Sequence, residues 1–192
     1  MVISNAKIED ATTLALLHKQ VFGKIHFTTS FSISLLTKYF ENLIEKMEYG
    51  IVIRDNGDVV GYLFASTNSG QIINNFLKTN FLKVFFYLLR NPRFIAEKIL
   101  ELFSKFSSKN NYTRTEISLY LIAVDTSLGG RGIGKELIYY FEELVKGNSE
   151  KSYTLSVRKN NQQAIDFYLK NKFVQIEANE KSIRFRKEIA PA

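Results

Sequence analysis

The sequence predicts an α/β (α+β) fold in which helices flank a mixed central sheet. Segments with helical spacing of apolar residues alternate with short β-rich runs along the chain, which is the pattern of a layered α/β domain. The turn sequence Asp-Asn-Gly-Asp at 55–58 lies between two β-rich runs and predicts a hairpin. A later strand leads through a glycine-rich turn directly into a helix.

The N-terminal part begins with a short strand and two helices. Leu14, Leu17 and Val21 recur on one face of the first helical segment, and the second repeats this spacing. The predicted elements are a strand at Val2–Lys7, helices at Glu9–Phe22 and Ser30–Lys46, and hairpin strands at Glu48–Arg54 and Val59–Ser66.

Residues 70–112 differ from the rest in composition, with seven Lys or Arg against two Glu. Apolar spacing predicts one helix at Phe76–Leu89. Pro92 ends it, because proline breaks a helix interior. A second amphipathic helix is predicted at Arg93–Phe106.

The C-terminal part carries the remaining sheet. Strict alternation along the fourth strand predicts that Glu116, Ser118, Tyr120 and Ile122 share one face. The predicted elements are strands at Thr115–Val124 and Tyr153–Val157, helices at Gly132–Lys146 and Asn161–Lys170, and a closing hairpin of Phe173–Glu177 and Ser182–Lys187.

Composition narrows the class of protein. A chain of 192 residues with 45% hydrophobic and 23% charged residues predicts a single domain spanning 1–192. It has no cysteine, which excludes disulfides and thiol nucleophiles, and only His18 and His26, so no metal site is expected. The N-terminus lacks the layout of a signal peptide, and we expect a soluble, cytoplasmic protein.

The formal net charge of +7 favours anionic partners in general. Nucleic acid, a membrane surface, a nucleotide sugar and coenzyme A all satisfy that condition. Because no helix-turn-helix or RNA-binding motif is present, nucleic acid is not an expected partner.

The glycine-rich turn at 129–135 predicts an anion-binding site. The first turn of a helix leaves N–H groups unpaired, and the helix dipole adds partial positive charge there. Glycines remove the side chains that would keep a phosphate away. The sequence Gly-Gly-Arg-Gly-Ile-Gly-Lys therefore forms a phosphate cradle if it opens a helix.

Two common phosphate-binding motifs do not fit this turn. A P-loop requires Ser or Thr after its lysine to hold magnesium, but Glu136 follows Lys135. A dinucleotide-binding fingerprint has the spacing Gly-x-Gly-x-x-Gly. Here Gly130 and Gly132 fit, but only one residue separates Gly132 from Gly134, so the fingerprint is absent.

Two motifs together resemble the GNAT superfamily of acyl-CoA-dependent N-acetyltransferases. Gly132 and Gly134 match the two small positions of the family's Arg/Gln-x-x-Gly-x-Gly/Ala motif, and Gly129 stands where Arg or Gln is usual. The run Asn161–Tyr168 resembles the family's Asn-x-x-Ala-x-x-x-Tyr, with Lys172 replacing the glycine before Phe173. The resemblance covers the chain except residues 68–113, and it implies a mostly antiparallel central sheet. Residues 68–113 are a predicted helical insert between strands 3 and 4, where most family members have a short turn.

The resemblance also implies roles for individual residues. The pantetheine arm of acetyl-CoA would pair near Ile122 and Val124, where two strands splay apart, often at a bulge, and Tyr168 would be the general acid for the thiolate. Glu116 is a candidate base, with an ordinary exposed strand-end carboxylate as its alternative. The implied cofactor-binding residues are Ile122, Val124, Gly129, Gly130, Arg131, Gly132, Ile133, Gly134, Lys135 and Asn161.

The implied activity is transfer of an acetyl group from acetyl-CoA to a primary amine in a ternary complex. We expect a small-molecule acceptor such as an amino sugar, with the insert shaping the acceptor site. A protein or peptide N-acetyltransferase and a non-catalytic acyl-CoA-binding module stay open as alternatives. The insert could pack on the sheet, contact a membrane or form a dimer contact. The protein could be a monomer or a homodimer.

Overall fold

One twisted sheet organises the computed structural model, which describes residues 1–23, 26–89, 116–148 and 150–189. Within these ranges seven strands form the order β1-β2-β3-β4-β5-β7-β6. All neighbours are antiparallel except β4 and β5. The strands are β1 (Val2–Asn5), β2 (Tyr49–Asp55), β3 (Asp58–Ser66), β4 (Ile117–Val124), β5 (Ser152–Arg158), β6 (Val174–Ala178) and β7 (Ser182–Glu188).

Helices cover both faces of the sheet, and each face has its own core. On one face, α5 and α6 bury residues such as Leu137, Phe141 and Tyr168 against the sheet. On the other, residues of α1 to α4 pack around Tyr62 and Phe64 of β3. The described helices are α1 (Ala11–Phe22), α2 (Ile33–Lys46), α3 (Ser69–Thr79), α4 (Phe81–Leu89), α5 (Ile133–Gly147) and α6 (Gln162–Lys170).

The predicted fold class is confirmed, and so is the hairpin over residues 55–58, which joins β2 to β3. The prediction of one helix at Phe76–Leu89 is wrong. The segment consists of the end of α3 and all of α4, separated at Asn80. Both the backbone and the side-chain amide of Asn80 donate to the carbonyl of Phe76, which ends α3. The start of α3 was missed because its sequence is mostly polar.

A β-bulge overturns the predicted alternation along β4. Leu119 pairs with Ala65 and Leu121 pairs with Phe64, so Tyr120 is an extra residue. The bulge reverses which side chains face which side of the sheet. Tyr120 packs with the core of α1 to α4, whereas Ile122 packs with the core of α5 and α6. The expectation that Ile122 shares the face of Tyr120 is therefore wrong.

Some predicted features lie outside the described residues. They are the helix at Arg93–Phe106, the break at Pro92, and the part of the predicted insert 68–113 that follows Leu89. The first predicted residue of the fourth strand, Thr115, also lies outside them.

The end of α6 is a Schellman motif. The amide of Phe173 donates to Tyr168 and the amide of Lys172 donates to Leu169. Phe173 also packs on the ring of Tyr168, with centroids 5.2 Å apart. Lys172 has a φ of 65°, the left-handed conformation that this position requires. Glycine adopts this conformation freely, whereas a lysine is strained in it.

We predict that Lys172→Gly stabilises the protein by about 1 kcal/mol, because glycine adopts a left-handed φ without strain. The matched control is Lys170→Gly, which removes the same side chain from the last turn of α6. That variant should destabilise by about 1 kcal/mol. Urea unfolding of the two variants measures both changes, and a destabilised Lys172→Gly would contradict the strain.

Candidate active site

A fork between β4 and β5 forms the centre of the candidate site. The two parallel strands pair only from Ile117–Tyr153 to Leu119–Leu155 and then diverge. Beyond the fork, β4 stays paired with β3 as far as Val124, and β5 stays paired with β7 as far as Arg158. The facing backbone edges of β4 and β5 are thus left to pair with an extended ligand. The bulge at Tyr120 lies where the fork opens.

The turn after β4 is shaped by Asp125 and two glycines. The carboxylate of Asp125 accepts from the amide of Ser127 at 2.9 Å and from the side chain of Gln20 at 3.1 Å. The Ser127 amide is the main reason why the pKa of Asp125 lies below its usual value. Gly130 and Gly132 have φ values of 81° and 78°, which other residues adopt only under strain.

The start of α5 leaves several amides without a backbone acceptor. The amides of Gly129, Arg131 and Lys135 donate within the turn or first helical turn. Within the described residues, four others have no backbone acceptor and point from an exposed helix start, which makes them a ready anion site. These are the amides of Gly130, Gly132, Ile133 and Gly134.

The side chains around this cradle differ in what they offer. Ile133 is buried in the core, so only its amide can reach a ligand. Lys135 is exposed. The guanidinium of Arg131 is more than half exposed and lies 3.8 Å from the carboxylate of Asp55. Two cations therefore flank the cradle, although one of them is shared with an acid.

Close packing brings the two predicted motifs together. A side chain at Gly134 would meet the ring of Phe167 at 3.2 Å and Val124 at 3.8 Å. Glycine thus lets the first turn of α5 lie against α6 and the end of β4. Ile122 and Val124 are half-buried and pack toward the same helices.

Tyr168 lies beneath this junction with its ring in the core. Its ring contacts Phe167, Phe173 and Phe185 at centroid distances of 5.4, 5.2 and 6.1 Å. Burial raises the pKa of Tyr168 well above its usual value, so the phenol stays protonated at neutral pH. Among the described residues, none forms a hydrogen bond with its hydroxyl. The phenol is therefore available as a proton donor.

Asn161 is the N-cap of α6. Its side-chain oxygen accepts from the amide of Ala164 at 3.1 Å, and its side chain is exposed. This bond stabilises the start of the helix that carries Phe167 and Tyr168.

Glu116 occupies a different environment from the one a general base needs. It precedes the closed end of the fork and accepts from Arg186 and Ser152, each at 2.9 Å, with Arg184 at 3.7 Å. Partial burial works to raise the pKa of Glu116, but hydrogen bonds from Arg186 and Ser152 and the charges of both arginines outweigh it, and the pKa lies below its usual value. The ion pairs tie the residue before β4 to β7, the bond from Ser152 ties it to β5, and neither supports a role as base.

The opposite face of the fork carries tyrosines that the sequence did not single out. The hydroxyls of Tyr120, on the bulge, and Tyr39, on α2, lie 2.8 Å apart. The ring of Tyr39 also contacts Phe76 of α3 at 5.3 Å. Tyr39 comes from α2, distant in the sequence from β4, so strand alternation gave no signal for this pair.

A buried chain of hydrogen bonds runs behind these tyrosines. His18 is fully buried, and its two ring nitrogens lie 2.6 Å from the Tyr62 hydroxyl and 2.7 Å from the Thr28 hydroxyl. Thr28 also lies 2.7 Å from His26 Nδ1. Thr28 has one proton to donate, so one imidazole accepts it and the other donates to Thr28. Each group in this chain therefore has a hydrogen-bond partner while all of the groups are uncharged.

We predict that this buried histidine makes the protein sensitive to acid. Burial, aided by His26, lowers the pKa of His18 to about 3, against 6.5 when unperturbed. Between these values the unfolded chain binds the extra proton. The free energy of unfolding should therefore fall with decreasing pH, by up to about 1.4 kcal/mol per pH unit.

Urea unfolding from pH 7 to pH 4 measures this slope. His18→Gln should lose much of it, and His26→Gln, which keeps the buried imidazole, should retain more. Equal slopes for the wild type and His18→Gln would contradict the assignment.

The described ranges contain neither a metal-ligand cluster nor a membrane-spanning helix. Their His, Asp and Glu side chains form no group of three that could hold a metal ion. None of their helices has the length and apolar character needed to cross a bilayer.

The forked sheet, with a glycine-rich turn leading from its central strand into a helix, defines an α/β protein suited to bind an extended anionic ligand. The particular family follows from the sequence: residues 20–173 match the model of the Acetyltransferase (GNAT) family, and the chain belongs to that family. The resemblance inferred from the two motifs is thus confirmed. No curated protein matches the chain significantly.

Solved structures share the fold at low sequence identity. Aminoglycoside 6'-acetyltransferase type Ii aligns with a TM-score of 0.65 at 14% identity, covering 100% of this chain and 99% of its own. Ribosomal-protein-S18-alanine N-acetyltransferase from Escherichia coli gives 0.61 and 14%, covering 100% and 95%. PaiA N-acetyltransferase from Thermoplasma acidophilum, in complex with coenzyme A, gives 0.61 and 14%, covering 97% and 98%.

Proposed function

We propose that this protein transfers the acetyl group of acetyl-CoA to the primary amine of a small molecule. The observation that carries the proposal is the junction of the fork, the cradle of unpaired amides and Tyr168 on one face of the sheet. The fold shared with a coenzyme A complex supports acyl-CoA as the ligand.

The chain's own groups would hold two parts of the donor, the pyrophosphate and the pantetheine arm. The amides of Gly130, Gly132, Ile133 and Gly134 would hold the pyrophosphate, with Lys135 and Arg131 beside it. The pantetheine arm would lie in the fork along Ile122 and Val124, pairing with the backbone edge that β5 leaves open. In this arrangement Gly129 shapes the turn, and Asn161 fixes the start of α6.

The reaction then requires attack by a neutral amine and protonation of the leaving thiolate. Holding both substrates in the fork supplies much of the rate. As the amine nitrogen bonds to the thioester carbonyl carbon and the C–S bond breaks, Tyr168 would donate its proton to sulfur, and the proton lost by the amine nitrogen would pass to water, from which the phenol is restored. No described residue is assigned as base, since Glu116 is committed to Arg186 and Arg184.

The acceptor would approach from the face opposite the donor helices. Tyr120 and Tyr39 lie there, and α3 packs against Tyr39 through Phe76. Residues 69–89 contain two lysines and no acidic residue, which disfavours a cationic peptide and favours an amine that carries anionic or hydroxyl groups. A phosphorylated amino sugar has that chemistry.

A protein acceptor is the second candidate, because the chain shares its fold with a ribosomal-protein acetyltransferase as well as an aminoglycoside acetyltransferase. A thiol-release assay with amino-sugar phosphates in one panel and N-terminal peptides in another separates the two. Release with the sugars alone supports the proposal. Release with the peptides alone would replace it.

We predict that Gly130→Asp weakens acetyl-CoA binding at least about tenfold, or about 1.4 kcal/mol, because it places a carboxylate in the phosphate cradle. Aspartate is among the residues that best tolerate the positive φ, and a Cβ at Gly130 has nothing within 4 Å. Gly70→Asp adds the same charge in open space on α3 and should bind normally. Calorimetric titration with acetyl-CoA measures the affinities of both variants. The absence of binding by the folded wild type would contradict the proposal.

We predict that Tyr168→Phe lowers kcat on the order of a hundredfold while leaving acetyl-CoA affinity unchanged, because it removes only the proton donor. Tyr139→Phe, on the exposed side of α5, is the matched control. Full turnover by Tyr168→Phe would remove the phenol from the mechanism. Tight binding of acetyl-CoA with no turnover on any amine would favour a non-catalytic binding module.

A further inference from the structure

The outer side of α4 carries an apolar patch, formed by Phe81, Leu82, Phe85 and Phe86. These side chains are 61%, 69%, 43% and 62% exposed. Single exposed apolar residues are ordinary, but four on one nine-residue helix are not.

The patch is a continuous surface. Residues one turn apart lie side by side on a helix, so positions 81, 82, 85 and 86 occupy one side of α4. The rings of Phe81 and Phe85 stack at 5.9 Å with planes 26° apart, and Phe86 contacts Phe85 at 6.2 Å.

The opposite side of α4 is already docked on the protein. Val84 is 6% exposed and belongs to the core of α1 to α4. Tyr87 packs on Phe31 with ring centroids 6.1 Å apart. The helix therefore has a core-facing side, and the patch is a second apolar side turned outward.

The charge around the patch has one sign. Lys83 lies on α4, next to the patch in sequence, and Lys78 lies on the last turn of α3. The sequence has no Asp or Glu from 69 to 89. A partner that fits this surface has an apolar interior and a negatively charged exterior.

We propose that the patch docks on an anionic bilayer surface, with its phenylalanines at the boundary between headgroups and acyl chains and its lysines near the phosphates. Amphipathic helices with aromatic and basic residues bind membranes in this way. A second copy of the chain fits less well, because two-fold pairing of α4 would bring lysines together without acidic partners.

This docking would also place the acceptor face toward the lipid. The helices α3 and α4 pack on the sheet face that bears Tyr120, through Phe76 and Tyr39. An amine displayed at the membrane surface would then reach the fork without leaving the interface.

Vesicle co-sedimentation of the full chain tests the proposal. Vesicles of phosphatidylcholine alone are compared with vesicles of phosphatidylcholine mixed with phosphatidylglycerol. The wild type should sediment with the mixed vesicles, less so at high salt. Phe81→Ser/Phe85→Ser should reduce the bound fraction on the order of tenfold or more. Lys78→Glu/Lys83→Glu should reduce binding to the anionic vesicles in the same direction.

Tyr139→Ser is the matched control, since Tyr139 is 64% exposed on α5. Its vesicle binding should equal that of the wild type. Normal acetyl-CoA binding and unfolding temperature would show that the phenylalanine variant is folded, so this test stands apart from the donor site.

Two outcomes would overturn the proposal. One is that the folded wild type does not bind anionic vesicles, or that the phenylalanine variant binds them equally well. The other is a dimer by light scattering that the phenylalanine variant loses, without vesicle binding, which would assign the patch to a second copy.

Discussion

The parallel strands β4 and β5 pair only as far as Leu119 and Leu155, and the geometry of the site depends on where that pairing stops. Both strands stay in the sheet because each keeps its outer neighbour, β3 or β7. Unpaired backbone groups in a protein interior are costly, so a gap between two strands persists where water or a ligand can reach it. The bulge at Tyr120 lies at this point and turns the end of β4 over, which is why Ile122 and Val124 face the helices that carry the cradle and the phenol.

The donor side works as a unit because α5 and α6 touch at their functional ends. Gly134 lets Phe167 approach the first turn of α5, and the Schellman motif at Lys172 holds Phe173 on the ring of Tyr168. Loop, helix start and phenol are thereby fixed relative to each other by packing. A lysine in the left-handed position shows that this geometry is kept even where the residue disfavours it.

The other face combines buried polar groups with an outward apolar surface. His18 and Thr28 belong to a chain of hydrogen bonds between uncharged groups. These polar groups can be buried because each has a hydrogen-bond partner. This hydrogen-bond chain lies behind the tyrosines of the fork, and it contains a buried imidazole that can be protonated in acid. The same set of helices ends in α4, whose phenylalanines remain outside the core.

Most of the helices and strands, the hairpin at 55–58, the glycine-rich turn and the motif ending in Tyr168 could be predicted from the sequence, because they follow from local periodicity, turn chemistry and spacing. The sequence also indicated the family. The tertiary structure was needed to show that Glu116 is held by Arg186 and Arg184 and that Tyr120 lies on a bulge beside Tyr39. The arginines, the second tyrosine and the register of β3 come from distant parts of the chain. Periodicity along one strand carries no information about what its neighbours do, and a single extra residue in β4 was enough to reverse the faces that alternation predicted.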